Sequence, residues 1–294
     1  MARIISIGAT QHVDLLKARL GRGFTNLKGN GLMLELKESP AGKFTFLAFR
    51  VADCDVRKCA GGDQDVFKHC IAEIISDVIL NHWEANLLKD IIKESYYYFD
   101  EEEKKQIYKL ALHYFNREPE NSKKAFLRLG RKSIIMQKLL EFLSQNNHII
   151  IDGFIRFRLK EYTGELREAA DKAVDDFLIE REYQEFIELL KYFVEIQESK
   201  VDTVHVIMGK KGTFKLFDEN MQPVRSDYLG DFAANLTENE INYEDLLVSA
   251  LITIAPNTIV LHCKNIVAPC TALDTIRCVF SGRVYECAGC NCCT

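Results

Sequence analysis

Proline and glycine are scarce in this chain. Its 294 residues hold 5 prolines and 16 glycines, about 7% together against roughly 12% in average proteins. That shortage argues against long linkers, low-complexity tracts and an all-β plan rich in turns. Positive charge is not in excess. The net charge is -5 and the isoelectric point about 5.9, so general attraction to nucleic acid or anionic membrane is not expected. Long hydrophobic runs are missing too. The opening residues carry only the apolar-rich run Ile4 to Gly8, which is short for a secretory signal. Leu246 to Cys263 comes nearest to a membrane span, but Pro256-Asn257 interrupts it and Glu244-Asp245 stand at its start. A span needs roughly 20 apolar residues, so this stretch reads as a buried helix followed by a buried strand. No G-x-x-x-x-G-K-[ST], H-E-x-x-H, G-x-S-x-G or H-R-D is present, although sites assembled across a chain leave no such mark. A cytoplasmic protein is therefore expected.

Apolar residues make up 47% and charged residues 28%, enough for a substantial core. The first sixty residues alternate in type. Arg3 to Ile7 reads as a strand, His12 to Leu20 as a short helix, and Leu32 to Lys37 and Phe44 to Val51 as strands around the turn Ser39-Pro40-Ala41-Gly42. Gly21, Gly23, Gly29 and Gly31 follow the helix and lead into a strand, the reverse of a dinucleotide fingerprint, and read as turn glycines.

From Asp65 to Glu198 the pattern is helical. Asp100-Glu101-Glu102-Glu103 has the form of a helix start, a helix is expected over Ser122 to Gln145, and Ile151 to Glu198 forms one long or two consecutive helices. In their second half Tyr183, Phe186, Ile187, Leu190, Phe193 and Val194 fall on one face, with Phe186, Leu190 and Phe193 as expected core anchors. After Lys200 the period changes to 2. Strands are expected at Thr203 to Met208, Thr213 to Phe217, Thr258 to His262 and Arg283 to Glu286, with helices at Asn242 to Ala255 and Thr271 to Phe280. The fold class is α+β: a helix-rich centre (61–198) framed by an N-terminal α/β segment (1–60) and a C-terminal α/β segment with a cysteine-rich tail (199–294). Whether the terminal segments share one sheet is left open.

Ile151 to Tyr162 (IDGFIRFRLKEY), Asp176 to Glu198 (DFLIEREYQEFIELLKYFVEIQE), Asp202 to Ile207 (DTVHVI) and Glu240 to His262 (EINYEDLLVSALITIAPNTIVLH) together resemble the YtxC-like family of sporulation proteins. The resemblance implies a sporulation-associated protein from an endospore-forming Gram-positive bacterium. It implies no activity, cofactor or catalytic set.

Three features invite functional readings. Arg158 flanks the apolar stripe Ile155, Leu159, Tyr162 and Leu166, where it can meet an anionic ligand or lie with its stem along apolar surface. With His205 and Tyr243 it forms the candidate ligand-binding set of an enzyme of unrecognised type, with further polar residues near Glu240 to Asp245. His205 itself, a lone strand histidine, also reads as a packing residue. The segment 117–138 holds Arg117, Lys123, Lys124, Arg128, Arg131, Lys132 and Lys138. Such a stripe can meet nucleic acid or an acidic partner, or simply be a solvated face. With no aromatic platform beside it, nucleic acid is the less favoured partner. Cys54, Cys59, His69 and Cys70 have the right residue types for a metal but irregular spacing.

The tail is different. Seven of the ten cysteines lie in the last 32 residues, and Cys287, Cys290, Cys292 and Cys293 crowd into seven. In a reducing compartment these are thiols, metal ligands or redox groups before they are structural disulfides. Cys287-x-x-Cys290 has the spacing of a thiolate knuckle that presents two sulfurs to zinc or another soft metal. Four sulfurs about 2.3 Å from one ion would strain so short a loop, so another contributor is expected: His262, Cys263, Cys270, Cys278 or a second subunit. The leading functional expectation is a sporulation-associated binding or regulatory factor with a thiol-rich metal or redox tail. An unidentified protein partner and the oligomeric state stay open.

Overall fold

The computed structural model describes residues 4–28, 33–52, 63–116, 124–209, 213–224, 243–262 and 271–290. Its architecture is α+β, rich in helix at the centre, with two mixed sheets. The chain forms two compact units, Met1–Phe177 and Leu178–Thr294.

In the first unit β1 (Ile4–Ala9) lies between β3 (Phe44–Ala52), antiparallel, and β4 (His148–Ile150), parallel, while β2 (Met33–Ala41) pairs with the outer edge of β3. The three-residue β4 has no legible signal in the sequence, since its pairing with β1 comes from 142 residues away in the chain. β2 and β3 join through Gly42-Lys43, and Gly42 takes φ +62°, where a side chain would be strained.

Helix α1 (Val13–Lys28) runs through Gly21 and Gly23, correcting the expectation that these are turn glycines. Gly23 has a packing reason: a Cβ there would meet Ile74 Cδ1 at 2.6 Å, so its absence lets α1 approach α2 (Asp63–Val78) closely. A π-helical turn (Ile79–Trp83) leads from α2 into α3 (Glu84–Ser95). Asp100 caps α4 (Glu101–Phe115): its Oδ1 accepts from the backbone N–H groups of Glu102 and Glu103, and the Glu103 carboxylate accepts from the Asp100 N–H. After α5 (Lys124–Gln145) come α6 (Ile151–Arg158) and α7 (Lys160–Ile196), separated by Leu159, which leaves helical dihedrals at φ -106°, ψ 41°.

In the second unit the sheet order is β6-β5-β7-β8, built from β5 (Thr203–Met208), β6 (Phe214–Phe217), β7 (Thr258–His262) and β8 (Val284–Glu286). β5, β7 and β8 are parallel, and β6 is antiparallel at the edge. Val204, Val206, Ile259 and Leu261 alternate onto one face of this sheet. There they share a core with Ile187, Leu190 and Val194 of α7, Leu251 and Ile254 of α8 (Tyr243–Ile254), and Ile276 of α9 (Thr271–Val279). Phe186 and Phe193 are not core anchors: they are 51% and 42% exposed, whereas Ile187 is 2% exposed. The broad apolar arc read from the sequence divides. Tyr183, Ile187, Leu190 and Val194 sit against the sheet, while Phe186 and Phe193 stay accessible, as do Leu189 and Ile196 outside that arc.

Candidate metal centre

His205 and His262 lie on the sheet face that the apolar core leaves free. In the parallel ladder of β5 and β7, His205 pairs with Val260 and Ile207 with His262, so the two histidines are diagonal neighbours on that face. Their rings are 5.3 Å apart, and His205 Nδ1 lies 3.1 Å from His262 Nε2. His262 closes β7. Next to it the chain leaves β8: the Cys287 N–H donates to the Leu261 carbonyl at 3.0 Å, extending the ladder by one residue. The chain then turns through Gly289, whose φ of +127° is open to glycine, and Cys290 returns with its Sγ 3.3 Å from His262 Nδ1.

The result is a cluster of His262, Cys287 and Cys290 whose donor atoms all lie within 4.8 Å of one another, at the carboxyl ends of two parallel strands. Open α/β sheets commonly bind ligands at that edge. His262 is 6% exposed, Cys287 half-buried and Cys290 exposed, so the group reaches from the sheet to the surface. Burial, and then the neighbouring His205, hold the His262 imidazole below the ordinary histidine range. It is therefore neutral at neutral pH, the form that ligates metal. Two thiol sulfurs and one imidazole nitrogen suit zinc or another soft metal and do not suit magnesium or calcium. The cluster can hold a metal ion.

Of the contributors expected beside the knuckle, His262 is the one that the described residues bring to it. Cys278 stands exposed on α9, and Cys263, Cys270, Cys292 and Cys293 lie outside the described residues. His205 was legible as a strand histidine, but its partner stands 57 residues away. The signal was one histidine in each of two β-branched strands, Thr203 to Met208 and Thr258 to His262.

The other candidates stand on separate elements. Arg158 belongs to the first unit, exposed at the end of α6, its guanidinium carbon 5.7 Å from the Phe142 ring. It lines a shallow depression with Lys138, Glu141 and Asn146. His205 and Tyr243 belong to the second unit, with Tyr243 exposed at the start of α8. In the basic stripe, Arg128 donates to Asn81, and Lys132 is 2.9 Å from Asp77 and Lys138 2.8 Å from Glu161. Arg131 lies over the Phe115 ring at 3.8 Å and 3.6 Å from Glu84, which also accepts the Tyr162 hydroxyl at 2.7 Å. Arg117, Lys123, Cys54 and Cys59 fall outside the described residues, as does the Lys124 side chain. No helix among the described residues is long and apolar enough to cross a membrane.

Fold and cluster define an α+β protein with a histidine–cysteine cluster that could hold a metal ion at the edge of its C-terminal sheet. The chain belongs to the YtxC-like family, whose profile matches residues 69–285. It is 28% identical over 172 residues to the Uncharacterized protein YtxC of Bacillus subtilis (strain 168), an alignment covering 58% of this chain and 60% of that protein. The chain thus aligns with less than two thirds of that relative's length. No solved structure matches it. The family span contains His205 and His262 and ends two residues before Cys287.

Proposed function

We propose that this protein is a cytoplasmic, sporulation-associated binding or regulatory factor whose C-terminal sheet carries a soft-metal centre. The observation that supports it is the convergence of His262, Cys287 and Cys290 within 4.8 Å. His262 and the two cysteines would hold the ion, while Cys292 and Cys293 supply further thiols from the adjoining tail. Binding would tie the segment after β8 to the end of β7, so that the metal stabilises the edge of the sheet. The decisive measurement is metal content and zinc titration of the full chain purified under reducing conditions, beside Cys287→Ser and Cys290→Ser. Near-stoichiometric uptake that falls in both variants is expected. No zinc or copper in any of the three, and no uptake on titration, would refute the centre. The sporulation role has its own test: deletion of the gene should leave vegetative growth near normal and lower the yield of heat-resistant spores. Equal spore counts in several sporulation media would remove it.

A thiol-reactivity reading competes, favoured by the chain Cys290 Sγ, His262 and His205 at 3.3 and 3.1 Å. A nucleophile, a base and an orienting group are arranged in this way in cysteine enzymes. The low basicity of His262 weighs against it, because an imidazolium is what holds a thiolate beside it. Alkylation of Cys290 with a midpoint well below the free-thiol value of about 8.5, unaffected by zinc, would favour this chemistry over the metal centre.

A further inference from the structure

We infer that His205 is the positioning residue of this centre, holding the His262 ring so that Nδ1 is its ligand nitrogen. The inference rests on the reading of the cluster as a metal site. A buried imidazole has two nitrogens to satisfy, and here each has an assigned direction. His262 Nδ1 faces the Cys290 sulfur at 3.3 Å, and His262 Nε2 faces His205 Nδ1 at 3.1 Å. When a metal takes Nδ1 of a neutral imidazole, the remaining proton sits on Nε2. That N–H then needs an acceptor. His205 Nδ1 is placed to accept it, with the His205 proton on its own Nε2.

The placement follows from the strands. β5 and β7 are the two inner strands of the sheet, and their parallel register fixes the diagonal between His205 and His262. His205 is therefore held by a ladder, and not by the segment that carries Cys287 and Cys290. A partner on a rigid element keeps a ligand within the narrow geometric tolerance that metal binding demands. The role differs from that of a ligand: His205 contacts His262 and is no member of the three-residue donor group.

The test is zinc affinity, measured by chelator competition on the full chain, for the unsubstituted protein, His205→Leu and His205→Asn. Leucine removes the acceptor and keeps an apolar filling. Asparagine places an amide oxygen close to the position of Nδ1. Loss of an orienting partner of this kind typically weakens metal binding by about 10- to 100-fold, and that loss is expected for His205→Leu, with most of it restored in His205→Asn. Cobalt(II) at saturation should give the same thiolate and ligand-field bands in all three proteins, since the ligands are unchanged. If His205→Leu does not give the native far-UV spectrum, His205→Gln takes its place, because its longer side chain carries the amide beyond the Nδ1 position. Unaltered zinc affinity in His205→Leu would overturn the inference. Equal weakening in leucine and asparagine variants would also overturn it, by showing a packing role, and so would a changed cobalt spectrum, which would make His205 a ligand. Failure of the unsubstituted chain to bind either metal would instead refute the centre itself, and the inference with it.

Discussion

Ile187 and Phe193 sit six residues apart on α7 and should respond very differently to truncation. Ile187 is 2% exposed in the core beneath β5 and β7, so Ile187→Ala removes buried carbon and leaves a cavity. At about 0.8 kcal/mol for each buried methylene-sized group, plus the cavity left behind, the cost is about 3–4 kcal/mol, within the range for Ile→Ala in cores. Phe193 keeps 42% of its surface in water, so Phe193→Ala should cost only about 1–2 kcal/mol, well short of the 3–5 expected for a fully buried phenylalanine. Tryptophan fluorescence is the wrong probe, since the single tryptophan, Trp83, belongs to the other unit. Amide hydrogen exchange at Val204, Val206 and Leu261 reads the second unit directly. In the exchange regime set by opening equilibria, Ile187→Ala should lower protection roughly 100- to 1,000-fold and Phe193→Ala roughly 10-fold, at about 1.4 kcal/mol per decade. Comparable losses, or a larger one for Phe193, would refute the division of the helix into an inner and an outer apolar face.

Further outcomes follow from other contacts. Tyr162→Phe removes the hydroxyl that donates to the half-buried Glu84 at 2.7 Å and leaves that carboxylate with Arg131 at 3.6 Å. A loss of about 1.5–3 kcal/mol is expected by Trp83 fluorescence during urea unfolding, and a loss below about 0.5 would show the bond to be dispensable. His82 is held below the ordinary histidine range by burial first, and then by His12 and Arg19. Unfolded His82 takes up a proton near pH 6.5 while the folded form stays neutral, so its stabilising contribution is full above that pH, declines as pH falls through it, and levels off below the folded value. An acid limb of the stability curve identical in His82→Gln would contradict this. Cys278 is exposed on α9, apart from the cluster, so Cys278→Ser should keep the zinc content that Cys287→Ser loses.

Much of the fold was legible in the chain, for a local reason. β5, β7, α4 and α5 each carry their period and their stop signals within a few residues, and Asp100 with Glu103 closes a capping box over three. What was not legible depends on distant partners. β4 is a strand only because β1 offers it a parallel edge, and Gly23 lies within a helix because Ile74 needs the space that a Cβ would fill. The sheet to which each terminal segment contributes was equally unreadable: β1 to β4 and β5 to β8 form separate sheets. Phe186 and Phe193 show the limit of a helical wheel. It identifies apolar positions, but it cannot say how wide an arc the neighbouring sheet will cover.

The candidate centre divides along the same line. Two of its sulfurs were visible as Cys287-x-x-Cys290, because a knuckle is a local motif whose chemistry depends on spacing alone. The imidazole was visible only as one of several possible contributors, since nothing near His262 in the chain sets it apart from Cys263, Cys270 or Cys278. It joins the cluster through the parallel pairing of β7 with β8, which brings the end of each strand to the same edge and sets Cys287 beside His262. The same register, continued to β5, supplies His205. The family span shares this logic: it takes in both histidine-bearing strands and stops short of Cys287 and Cys290. A relative that keeps the sheet without the knuckle would then keep the His205–His262 pair and lose the soft donors. Grafting Cys287 to Cys290 after its last strand should confer zinc binding only where that strand pairs in the same register. Zinc uptake by a graft shifted by one residue, which turns the first cysteine to the opposite face, would show that the tail binds metal without the sheet.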